Sequence, residues 1–97
     1  MGQPVARLGD FSVGHTCYPN VTNYEASVDV FVENRRVHRN GDAWYPHTCS
    51  ISGTHAGITN GGSTTVFVNG QGCGYVGASI SCGDYILTGA TTVFVGS

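Results

Sequence analysis

Charge is scarce in this sequence. Charged residues make up 10% of the 97 positions, against roughly a quarter in ordinary soluble domains. Only four are Lys or Arg and the formal net charge is -2. A nucleic-acid partner is therefore not expected, because neutralising phosphates requires a basic patch. Long apolar runs are missing as well. No uncharged apolar stretch approaches the roughly 20 residues of a bilayer crossing, so the chain is not read as membrane-spanning. The opening Met-Gly-Gln-Pro has no basic segment leading into an apolar one, which gives the expectation of no secretory signal and of synthesis in the host cytoplasm. Catalytic phrases are absent too. The acids Asp10, Asp29, Asp42, Asp84, Glu25 and Glu33 sit in no metalloprotease-like or deaminase-like motif, and no Cys has a neighbouring base to activate it. The sequence does not read as an enzyme.

What fills the space left by charge is fifteen Gly, with much Thr, Ser, Asn and Val. That mixture disfavours long helices and favours short strands joined by tight turns, so the fold class expected is all-β. A chain this size buries a limited core and gains from a staple such as a metal, a disulfide or a partner chain. Four Cys allow three pairings as a disulfide framework. With no secretory signal expected, metal ligands or plain buried thiols gain weight.

The chain repeats itself. "PVARLGDFSVGHTC" (4–17) and "RVHRNGDAWYPHTC" (36–49) share Val, Arg, Gly-Asp and His-Thr-Cys at the same offsets. A degraded third copy, "GCGYVGASISCG" (72–83), aligns Gly77 with Gly9 and Gly41. Each copy is followed by a second phrase containing Val-Phe-Val: "ASVDVFVEN" (26–34), "GSTTVFVNG" (62–70) and "GATTVFVGS" (89–97). Their β-branched content, short length and flanking Gly or Asn read as strands. Three units too small for cores of their own bury their apolar faces against one another. Approximate repeats at 3–34, 35–70 and 71–97 are expected to close around a pseudo-threefold axis as one domain. An open solenoid is the competing arrangement, and the lack of any capping element disfavours it.

Threefold arrangement gathers equivalent loop positions. Five or six places beyond Gly9, Gly41 and Gly77 stand His15, His47 and Cys82, all transition-metal ligand types. Three ligands leave one position of a closed tetrahedral zinc site to fill. His55 is the first choice, because the second loop alone carries the extra stretch Cys-Ser-Ile-Ser-Gly-Thr-His. His38 is the rival, but the other copies have Ala6 and Gly74 at its position. Soft sulfur with imidazole favours zinc, with iron second, over calcium or magnesium. Cys17 and Cys49 occupy identical repeat positions and read either as a disulfide or as buried inert thiols; Cys73 reads as a small core residue. Trp44, Tyr45 and Pro46 are expected to pack over or beside His47 and exclude water.

The segment "PVARLGD" resembles the Pro-Ala-Ala-Arg-hydrophobic-Gly-Asp signature of the PAAR-repeat proteins, and "GSTTVFVNG" and "SISCGDYILTGATTVFVG" are similar to that family's strand ends. The likeness runs from Pro4 to Gly96. It departs in the second copy, Val37-His38-Arg39, and in the third, Cys73-Gly74-Tyr75 with Ala78 in place of Asp, which removes any shared Arg–Asp contact there. The resemblance implies a small cone with a metal, usually zinc, held near its vertex by three His and one Cys. It further implies that one chain caps a trimeric β-helical spike and sharpens it for piercing a target cell envelope. Such tips serve contractile phage tails and type VI secretion spikes. Short length and the "GHTC" loop are most similar to the tail-tip members of T-even-like phages, which would place the chain in the virion. A stand-alone zinc-stabilised surface- or carbohydrate-binding module is the alternative, with Trp44, Tyr18 and Tyr45 as its platform.

Overall fold

Short strands and tight turns account for the whole architecture of this chain. The computed structural model describes residues 2–96; Met1 and Ser97, the latter closing the third expected repeat, lie outside the described residues. In chain order the strands are β1 Gln3–Pro4, β2 Phe31–Val32, β3 Arg35–Arg36, β4 His47–Cys49, β5 Gly53–His55, β6 Phe67–Val68, β7 Gln71–Gly72, β8 Ser79–Ile80, β9 Asp84–Tyr85 and β10 Phe94–Val95. Among the described residues there is no helix, hence none able to cross a membrane.

The first two Val-Phe-Val runs feed antiparallel hairpins, β2–β3 and β6–β7. Their turns, Glu33-Asn34 and Asn69-Gly70, have positive φ at both central residues (54° and 67°; 54° and 78°). That is the type I′ geometry whose twist matches a hairpin, and Asn and Gly tolerate it best. The third run has no turn to enter. Instead β10 pairs with β1, placing Phe94 opposite Pro4 as Phe31 stands opposite Arg36 and Phe67 opposite Gly72. The two ends of the chain thus build the third hairpin-like unit.

Closure is visible in the backbone. The Ala6 N–H donates to the Gly74 carbonyl (2.9 Å), Gly74 to His38 (2.8 Å) and His38 to Ala6 (3.0 Å). One step outward, Leu8 donates to Arg36, Asn40 to Gly72 and Val76 to Pro4, at 2.7, 2.8 and 2.9 Å. An open solenoid leaves its first and last units unpaired. Here the ring closes with pseudo-threefold symmetry, as expected.

Gly9, Gly41 and Gly77 sit at equivalent bends with φ of 85°, 89° and 96°, where a Cβ would be strained. Each bend brings the N–H of the following residue to a carbonyl three residues back: Asp10 to Arg7, Asp42 to Arg39 and Ala78 to Tyr75, all at 3.0 Å. In the first two copies the guanidinium and carboxylate also pair. Arg7 Nε meets Asp10 Oδ2 at 3.1 Å and Arg39 Nε meets Asp42 Oδ2 at 2.9 Å. Tyr75 and Ala78 cannot repeat this, so the third copy lacks the pair.

The core has two layers. One contains Val5, Val37 and Cys73, a single repeat position seen three times, together with Val68, Ala90 and Val95. The other contains Ala6, Trp44, Ala78, Ile80 and Ile86, with Val21 and Cys82 packed against it. Cys73 is therefore the small core residue expected, and burial pushes its thiol up to about 11, which leaves it protonated and inert at neutral pH.

Candidate metal centre

The additional stretch in the second loop folds back on itself as the β4–β5 hairpin. Its register sets His47 directly opposite His55, Thr48 opposite Thr54 and Cys49 opposite Gly53. Opposed residues share a face of a hairpin, so both imidazoles point the same way. His15 arrives from a tight turn closed by reciprocal backbone bonds with Tyr18, at 3.1 and 2.8 Å. Cys82 lies in the turn of β8–β9, where Gly83 has a φ of 99°.

These three loops converge. His15 Nε2 stands 3.0 Å and His47 Nε2 2.7 Å from His55 Nε2, and Cys82 Sγ lies 4.0 Å from His47 Nε2. All four donor atoms fall within 4.8 Å of one another. Zinc bonds of about 2.0–2.1 Å to nitrogen and about 2.3 Å to sulfur give tetrahedral edges of about 3.3 Å and 3.5 Å. The cluster is close to those edges, and three nitrogens facing one another need a cation or shared protons between them. The donor set fits a transition metal. The four residues named on sequence grounds are the ones brought together.

Their surroundings prepare them for that role. The Nδ1 of His47 lies 2.7 Å from the Pro19 carbonyl. With Nδ1–H donating there, the lone pair of Nε2 is directed at the centre. Lost hydration, then the neighbouring His47 and His15, hold the His55 imidazole below its ordinary range, while Asp84 opposes the shift. Burial pushes the Cys82 thiol up, and the nearby Asp84 backbone N–H pulls the other way. A cation at the centre would favour the thiolate. The ring covering the cluster is Tyr18, stacked 3.9 Å from His55 and 4.9 Å from His15 between centroids.

His38 goes elsewhere. It is wholly buried on the axis, with Nδ1 2.9 Å from the Glu25 carbonyl and Nε2 2.7 Å from Thr59 Oγ1. Burial holds its pKa down, and both ring nitrogens are satisfied within the core. Of Trp44, Tyr45 and Pro46, expected over or beside the ligands, Trp44 packs beside one of them and the other two are exposed. Trp44 is 1% exposed, donates from Nε1 to Thr59 Oγ1 at 2.9 Å and belongs to the core layer that Cys82 rests on. Tyr45 is exposed beside Tyr24. The repeat register carried the missing signal: Trp44 aligns with Ser12 and Ile80, also buried, three residues after the bend glycine.

Of the two readings of Cys17 and Cys49, the structure has the disulfide, with Cα atoms 5.3 Å apart. Each stands two residues after a metal-ligand type, His15 or His47, so the bond ties the first two loops immediately beside the cluster.

Fold and site together define a class: a single-chain, threefold β-repeat cone with a His3Cys cluster able to bind a metal. The PAAR motif family model matches residues 14–88, and the chain belongs to the PAAR-motif family. Among curated proteins, none matches the chain.

Proposed function

We propose that this protein is the structural tip of a contractile injection device. In this reading it caps the end of a trimeric β-helical spike, one chain per trimer, and sharpens it for transient contact with a target cell envelope. Its place is the virion, at the tip of the central tail spike of a T-even-like phage. A type VI secretion-like spike would use the same part. The carrying observation is that one chain closes into a ring with three equivalent edges. A trimer presents three identical faces around one axis, and only a threefold body meets all of them alike.

The exposed apolar residues support this. Phe31, Phe67 and Phe94, one from each Val-Phe-Val run, are 55%, 60% and 53% exposed, with Val30, Val66 and Val93 beside them. Three equal apolar patches at the end formed by the hairpin turns and chain ends suit a coaxial trimeric partner. At the other end the reading assigns His15, His47, His55 and Cys82 as ligands of a structural zinc. Where little can be buried, metal binding free energy becomes folding free energy. Four protein donors fill a tetrahedral shell and leave no open position for activated water, which favours a structural over a catalytic role. Against a stand-alone sugar-binding module stands Trp44, whose ring is enclosed and unavailable as a platform.

The test is co-expression with a trimeric β-helical spike protein of a contractile tail. Retention on the purified spike through washing is expected. Quantitative separation of the two proteins would refute the cap.

A further inference from the structure

Three carboxylates are buried among the described residues: Asp10, Asp42 and Asp84. Asp10 is matched by Arg7 at 3.1 Å and by Arg35 at 3.6 Å, and Asp42 by Arg39 at 2.9 Å. Asp84 is 1% exposed and has no cationic side chain within ion-pair distance among the described residues. Its Oδ2 is the one buried side-chain oxygen or nitrogen among the described residues that lacks a hydrogen-bond partner within the protein. A buried charge left unpaired is costly, so an orphan of this kind marks a partner of positive charge or an equivalent compensation.

Its position says where that partner sits. Oδ1 accepts the N–H of Gly14 at 2.9 Å, immediately before His15, and the N–H of Tyr85 at 2.7 Å. Asp84 itself lies two residues after Cys82, at the start of the strand that follows the Cys82 turn. One residue thus ties the loop carrying His15 to the loop carrying Cys82. A dipositive ion bound by three neutral imidazoles and one thiolate retains one net positive charge.

We propose that Asp84 is the counter-charge and positioning residue of the metal centre: its carboxylate neutralises the loaded cluster and its Oδ1 locks the first loop against the third. The inference rests on the metal reading of His15, His47, His55 and Cys82. It goes beyond that reading by assigning a second layer, which a list of ligands does not contain.

The substitution Asp84→Asn is nearly isosteric, keeps an oxygen for the Gly14 amide and removes the charge. Zinc affinity of wild type and variant is read by competition with a chromophoric chelator. Wild type binding one zinc and D84N binding it 10- to 100-fold more weakly is the expected result, the usual cost of losing an outer-shell partner. Thermal unfolding with and without zinc supplies a readout that a purely structural role would not move. D84N should lower the midpoint of the zinc-loaded protein and raise that of the zinc-free protein, since only the latter carries an uncompensated carboxylate. Asp84→Ser, measured in the same way, serves if the Asn variant does not accumulate. Affinity within twofold of wild type, or midpoints falling equally in both states, overturns the proposal. A wild type that binds no metal overturns the ligand reading instead.

Discussion

Replacing Phe31, Phe67 and Phe94 by Ala, singly and together, tests the threefold cap at the level of residues. About half of each ring is already covered, since exposure is 55%, 60% and 53%. Full burial of a Phe side chain is worth about 1.5–3 kcal/mol, so docking the exposed half gains about 1 kcal/mol per ring. Each single substitution should then weaken binding to the spike by about fivefold, and the triple substitution by about 150-fold. Surface interferometry on immobilised spike trimer measures this directly. Folding should survive, because the apolar layer beneath is formed by Val68 and Val95 and not by these rings. Equality is the telling feature. One ring carrying the entire loss, or a triple variant that binds as well as wild type, would refute the claim that three equivalent edges meet three identical chains.

Ala in place of His15, His47, His55 or Cys82 should each abolish stoichiometric zinc by elemental analysis, whereas His38→Ala should leave the zinc content unchanged, because His38 is engaged by Glu25 and Thr59. Paired Cys17→Ser and Cys49→Ser substitutions should lower stability in denaturant by about 3–4 kcal/mol, the chain-entropy value for a bond joining residues 32 apart. His38 should make stability fall with acidity. Its folded pKa is held below the ordinary 6.5, so the unfolded chain takes up a proton first. The contribution is complete above pH 6.5. Below that it declines by about 1.4 kcal/mol per pH unit until the folded pKa is passed. The difference in slope between wild type and His38→Gln in urea unfolding isolates it; equal slopes would contradict the buried neutral imidazole.

Much of this protein is legible in its sequence because repetition substitutes for long-range information. Gly9, Gly41 and Gly77 fix a common register, and that register alone brings His15, His47 and Cys82 to equivalent loops. His55 is legible for a different reason: an insertion unique to one copy had to fold locally, and a hairpin returns its last residue opposite its first. What repetition cannot supply is contact between unlike positions. The β1–β10 unit joins residues from opposite ends of the chain, and no local pattern announces such a pairing. Tyr18 stacks on rings from another loop, and Asp84 belongs to no repeated position. Trp44, Tyr45 and Pro46 stand together before His47, yet only Trp44 packs beside a ligand, because neighbouring side chains alternate between faces.

The most direct test of the account is the mass of the complex with the spike. Native mass spectrometry of the purified assembly should give one copy of this chain per three spike chains, because a single chain already supplies all three edges. A complex with three copies per trimer would contradict the closed threefold cap.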